Sequence, residues 1–242
     1  MREPLILRGG DSALVVEFGR EIDETVNRQV HALNRAVSDK HIIGVTETVP
    51  TFRSLTVFFD PSVISGEKLT KKIRKCCRHL TLGGTGVEKI TEIPVLYGGK
   101  YGEDLENVAK YTGLSPEEVI RLHSSADYRI YMLGFLPGFV YLGGMDKRLF
   151  CPRLPTPRTK IHAGAVGIGG EQTGIYPLPS PGGWQLIGTT PVRPYDPQRT
   201  PPVLFSAGEH IRFVPVTEDE YLEIEEQVRR GEYVCKTTGG AK

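Results

Sequence analysis

Between Gly134 and Pro191 the chain gathers the side chains best suited to holding a small polar ligand: Arg158, His162, Gln172, Thr173, Tyr176, Ser180, Trp184 and Gln185, with Lys160 beside them. Tyrosine and tryptophan offer flat apolar faces with a polar edge, glutamine matches both halves of an amide, and arginine forks onto a carboxylate. A ligand carrying an amide and a carboxylate suits that inventory. Pro137, Gly138, Phe139 and Tyr141 are candidates for the edge of such a pocket or for contact with a partner. The same residues also suit a rigid barrel rim whose polar groups satisfy their own loops or face a partner chain. No single residue is marked as catalytic.

Other chemistries find less support. The glycines at Gly83–Gly86 and Gly164–Gly170 belong neither to a GxxxxGK[ST] phosphate loop, which needs a lysine at the phosphates, nor to GxGxxG opening a helix. There is no GxSxG nucleophile elbow and no HExxH, and the six histidines do not pair at ligand spacing, so no metal site is expected. Lys68, Lys71, Lys72, Arg74, Lys75 and Arg78 make one helix basic; a solvated face is the simpler meaning and an acidic protein partner the alternative. A net charge of +1 and the lack of aromatics among these cations argue against nucleic acid. With no apolar run near the roughly 18 residues that span a bilayer, no membrane segment is expected. The N-terminus lacks the features of a signal peptide, and four cysteines without regular spacing read as reduced thiols, so the expected location is the cytoplasm.

The elements that must position these residues follow from periodicity. Leu5–Leu7 and Ala13–Phe18 read as a hairpin, and Asp23 as the cap of a helix with Val26, Val30, Leu33 and Val37 on one face. Val45–Val49 and Leu55–Phe59 read as strands, residues 67–80 as a second helix, and Val87–Val95 as a further strand. This ββαββαβ order predicts an α+β unit over residues 1–95, with two helices on one face of a mainly antiparallel sheet. Residues 96–128 read as a helical connector. Its strongest signal is Ser115-Pro116-Glu117-Glu118: a cap serine, proline at the first helical position and glutamate three residues after the cap. Residues 129–242 show short apolar runs (Ala165–Ile168, Trp184–Ile187, Val203–Phe205, Ile211–Val216) punctuated by glycine and proline. That pattern predicts a mainly-β barrel or sandwich, followed by a C-terminal helix that Thr217 and Glu220 begin.

Four blocks carry a family likeness: PGFVYLGGMD, Pro157-Arg158, AGAVGIGGEQTGIYP and SPGGWQLIGTTP. With YGGKYGEDLENVAKYTGLSPEEVIRLHSSADYRIYMLGF before them, the chain resembles the KipI/allophanate-hydrolase-subunit-1 family, which includes the B component of bacterial 5-oxoprolinase. Val140 and His162 stand where proline is more usual in that family, Thr189 where arginine is common, and Glu209 where aspartate is. The resemblance implies that the second unit is a cyclophilin-like barrel. It implies two partner chains, one of the KipA/allophanate-hydrolase-subunit-2 family and one of the LamB/YcsF type. It implies ATP as co-substrate, at a site the sequence does not locate, for cleaving 5-oxoproline to glutamate. Two alternatives also come from the resemblance: inhibition of a sporulation sensor histidine kinase, and a part in an amide hydrolase or carboxylase acting on a urea-derived substrate.

Overall fold

The structure is a computed structural model describing residues 3–21, 23–80 and 89–239. The Gly83–Gly86 cluster and the first two residues of the expected Val87–Val95 strand lie outside the described residues. The chain divides into two units, Met1–Gly86 and Val87–Lys242.

In the first unit, β1 (Leu5–Arg8), β2 (Ala13–Glu17), β3 (Val45–Pro50) and β4 (Ser54–Phe59) form an antiparallel sheet in the order β1-β2-β4-β3. Helices α1 (Glu24–Asp39) and α2 (Gly66–Arg78) bury Val30, Leu33 and Val37, and Leu69, Ile73 and Cys76, against Leu14, Val16, Leu55 and Val57. Both helices begin as their sequences dictate. Asp23 accepts the Val26 N–H at 3.0 Å and Ser65 the Lys68 N–H at 3.3 Å, each satisfying a donor the first turn leaves open. The six cations of α2 are all exposed.

The second unit contains β5 (Ile90–Tyr97), α3 (Leu105–Thr112), α4 (Pro116–Ser124), β6 (Asp127–Leu133), β7 (Val140–Gly143), β8 (Arg158–Ile161), β9 (Ala165–Gly169), β10 (Gln172–Ile175), β11 (Ser180–Gly182), β12 (Gln185–Thr189), β13 (His210–Pro215), α5 (Glu218–Arg230) and β14 (Thr237–Thr238). Seven strands close a barrel in the order β12-β9-β10-β7-β6-β13-β5, with β5 pairing back to β12 and β14 adding to β5. Strands β8 and β11 form a separate two-stranded ribbon.

Three sequence expectations change here. The first unit does not extend to residue 95, because β5 runs parallel to β13, from Ile90 opposite His210 to Val95 opposite Pro215, and is a stave of the barrel. Residues 96–128 are not a free-standing connector either: Leu105, Val108, Val119 and Leu122 of α3 and α4 belong to the barrel's own core. Val203–Phe205 forms no strand, only an isolated bridge between Tyr195 and Val203.

Successive strand residues face opposite ways, so each stave has an inner and an outer row. Ile93, Val95, Tyr128, Ile130, Val140, Leu142, Val166, Ile168, Ile175, Ile187, Ile211 and Phe213 fill the interior. The alternate residues Phe139, Tyr141, Tyr176, Trp184 and Leu186 make a second cluster on the outer wall, joined by Ile161 of the ribbon. That outer cluster positions the site.

Candidate functional site

Trp184 is the centre of the outer cluster and lies on glycines. A Cβ on Gly169 would come within 2.5 Å of its Nε1, one on Gly174 within 3.1 Å of its Cζ3, and one on Gly167 within 3.3 Å of its Cβ. The strand glycines that resemble a phosphate loop in one dimension are therefore a bed for an indole, a role for which only the missing side chain matters. Phe139 meets Trp184 edge to face at 5.6 Å and Tyr176 at 5.3 Å, and Tyr141 stands 4.9 Å from Phe139. Phe135, with φ of 67° and well exposed, adds a further edge-to-face contact to Phe139 at 5.5 Å.

These five rings, with Arg153, Pro157, Pro181, Gly182 and Gly183, line a pocket of about 300 Å³. The ribbon β8–β11 forms one side of it. Gly182 leaves room for the Tyr176 hydroxyl, which a Cβ there would approach to 2.6 Å. The Arg153 guanidinium lies over the Trp184 ring, 5.8 Å from its centroid, a cation–π distance. Burial raises the phenols of Tyr176 and Tyr141 above the usual tyrosine range, and the Arg153 charge partly offsets this in both. One cation thus sits within reach of two phenols and the indole face.

The expected site residues separate into three groups. Phe139, Tyr141, Tyr176 and Trp184 come together around the pocket. Arg158 is committed elsewhere: its Nη2 donates to Oδ1 of buried Asp104 at 2.8 Å, and its Nε pairs with Glu103 at 3.1 Å. Asp104 Oδ2 in turn accepts the Leu186 N–H at 2.7 Å. Arg158 therefore holds the start of α3 to β12 and has no free fork for a ligand carboxylate. Thr173 is fully buried and faces the barrel interior. Its hydroxyl donates to the Gly167 carbonyl at 3.1 Å and accepts from His123 Nε2 at 2.8 Å, which leaves His123 Nδ1 to accept the Tyr97 hydroxyl at 2.8 Å. His123 is neutral there, with burial pulling its pKa down to about 3.

The third group lies near the cluster without lining the pocket. Gln172 shares the outer row with Gly174 and Tyr176, and its buried Nε2 has no partner among the described residues. Gln185 faces the other way, donating to the Pro152 carbonyl at 3.1 Å while its Oε1 is unpaired among them. Ser180 Oγ, on β11, is also buried without a partner among the described residues. His162 donates from Nε2 to Thr189 Oγ1 at 2.8 Å, since that hydroxyl already donates to the Tyr101 carbonyl at 2.7 Å; burial lowers its pKa. Pro137 is exposed, and Gly138 (φ 80°) lets the backbone pass against Pro194 and Tyr195. Arg153 was missed by sequence reasoning, and its one signal is a cation set among prolines without an acidic neighbour in the chain. No group of metal-ligating side chains occurs among the described residues, and no described helix is long and apolar enough to cross a membrane.

Comparison with known proteins supplies the family. The carboxyltransferase domain family, subdomain C and D, matches residues 4–205. The B component of 5-oxoprolinase from Bacillus subtilis (strain 168) is 46% identical over 228 residues, covering 90% of this chain and 95% of that component. The crystal structure of TTHA0988 superposes with a TM-score of 0.76 at 40% identity, over 85% of this chain and 40% of that one. The K. lactis urea amidolyase gives a TM-score of 0.83 at 23% identity, over 98% of this chain but 16% of the enzyme, a likeness of fold alone.

Proposed function

Because the chain belongs to the carboxyltransferase C and D subdomain family, together with the B component of 5-oxoprolinase, we propose that it is the B component of an ATP-dependent 5-oxoprolinase. The observation that carries this reading is the match to 95% of the length of the B. subtilis component, whereas the urea amidolyase resembles this chain in only 16% of its own length. The likeness thus runs nearly end to end along one free-standing component and covers only a small part of the larger enzyme. Its partners are a KipA-type component and a LamB/YcsF-type component, its location is the cytoplasm, and ATP is the co-substrate of the assembly.

The chemistry explains why ATP is needed. A five-membered lactam is a resonance-stabilised amide and a poor electrophile. Transfer of the γ-phosphoryl group to its carbonyl oxygen releases ADP and leaves a carbon that water attacks, opening the ring to glutamate with loss of phosphate. Reconstituting the three components with 5-oxoproline and ATP should release glutamate and ADP in equal amounts, and omitting this chain should abolish both. Unchanged turnover without it would refute the proposal.

A further inference from the structure

We infer that the pocket beside Trp184 binds a small, flat, singly charged carboxylate, with Arg153 gripping the carboxylate and the exposed Phe135 and half-buried Tyr141 flanking the ring. The inference rests on the 5-oxoprolinase reading for the identity of the ligand, which is then 5-oxoproline, a planar lactam with one carboxylate.

Charge makes the first part of the case. Arg158 and Arg153 both stand near Trp184, but Arg158 is neutralised by Asp104 and Glu103. Arg153 is exposed and pairs with no carboxylate among the described residues; its neighbours are the Trp184 face and the Tyr141 and Tyr176 phenols. The pocket therefore offers one uncompensated positive charge, which matches a monoanion and leaves most of a triphosphate unpaired. A guanidinium beside a carboxylate makes the strong, two-pronged hydrogen bond that sets orientation.

Shape makes the second part. A volume of about 300 Å³ is at the small end for ligand pockets, and its walls are aromatic, which suits a flat ring better than a chain. The indole, 4% exposed, is fixed by the glycine bed beneath it and by Phe139 and Tyr176 at its edges, so the pocket floor is set before the ligand arrives and Phe135 and Tyr141 are the rings a ligand can reach. The larger cavity of about 550 Å³ between α5 and Thr190–Pro194 lacks this combination: Glu225 and Glu226 balance Arg193 and Arg229 there, and Tyr221 is its one aromatic.

Trp184 is the sole tryptophan, so the emission of the full chain reports directly on this pocket. Titration with 5-oxoproline should give a saturable change. Pyrrolidin-2-one, the same ring without the carboxylate, should bind at least 10-fold more weakly, as should 5-oxoproline to Arg153→Gln, with Arg153→Lys between. Equal responses to the two ligands, an unaltered Arg153→Gln titration, or no response of the wild-type chain would overturn the inference. Arg153 is exposed, so the variant's thermal unfolding should match wild type and exclude misfolding as the cause. In the reconstituted complex Arg153→Gln should raise the KM for 5-oxoproline at least 10-fold. An unchanged KM sinks the pocket and leaves the 5-oxoprolinase reading standing. Failure of the wild-type complex to turn over sinks the 5-oxoprolinase reading, while the emission titration still decides the pocket.

Discussion

Replacing Arg158 with alanine tests whether this arginine is a brace or a ligand contact. The substitution removes the Nη2 donor 2.8 Å from Asp104 Oδ1 and leaves that carboxylate, whose side chain is 4% exposed, with only the Leu186 N–H and the Asn107 amide. Breaking a buried pair from one side costs about 3–5 kcal/mol, because the remaining charge stays buried and uncompensated. The Arg158 side chain keeps 23% of its exposure and water can replace part of it, which brings the expected loss to about 2–4 kcal/mol. At about 2–4 °C per kcal/mol for a unit of this size, the Tm of the barrel should fall by roughly 4–16 °C. Far-UV circular dichroism and Trp184 emission should report the same transition. Adding Asp104→Asn to Arg158→Ala should recover part of the loss, since the orphaned charge is then gone. A full-stability Arg158→Ala chain that no longer responds to 5-oxoproline would refute the reasoning and place Arg158 in the ligand site.

Gly169→Ala drives a methyl to 2.5 Å from Trp184 Nε1, so the indole must shift by about 1 Å; a cost of about 1–3 kcal/mol and a displaced emission maximum are expected, and an unmoved maximum would contradict the bed. Gly170→Ala, in open space at φ 70°, should cost about 1 kcal/mol of backbone strain and leave the emission unchanged. His123 has a folded pKa of about 3 against 6.5 unfolded, so the unfolded chain binds the extra proton. Stability should therefore be intact above pH 6.5 and fall by up to about 1.4 kcal/mol per pH unit between 6.5 and 3, with one proton less of slope in His123→Gln; urea midpoints from pH 7 to 4 measure it. Burial pushes the Cys77 and Cys235 thiols up to about 11, so both should resist a thiol reagent at about pH 8 until the chain unfolds; fast labelling of either, located by mass spectrometry, would contradict their burial.

What the sequence disclosed was local. Asp23, Ser115 with Glu118, and Thr217 with Glu220 sit within three residues of the N–H groups they satisfy, so the helix starts are written in short stretches and recur as capping bonds in the structure. The α+β unit followed by a mainly-β barrel was legible for the same reason, as helical and strand periods change over short windows. Pairing across long distances was not. Nothing near Ile90 announces that its partner is His210, and strands as short as Arg158–Ile161 and Ser180–Gly182 carry too few residues to show alternation. The site divides likewise. Four of the five rings around the pocket, Phe139, Tyr141, Tyr176 and Trp184, were legible because ring chemistry is a property of residue type, while Phe135 was not singled out. Choosing between Arg153 and Arg158 required knowing that Asp104, 54 positions upstream, lies against the second and not the first.

The seam between β5 and β13 also governs the order in which the molecule can be made. The first four strands pair with partners close by in the chain, so the N-terminal unit can finish while synthesis continues. The barrel cannot, because its opening strand waits for residues that leave the ribosome 120 positions later. Until then β5 presents open edges to any other strand, and contacts of such long sequence separation form slowly. A chain cut before His210 would keep the aromatic pocket's residues yet lack the stave that closes the wall carrying them. Such a fragment should be aggregation-prone, so the final segment acts as the checkpoint for a site it never touches.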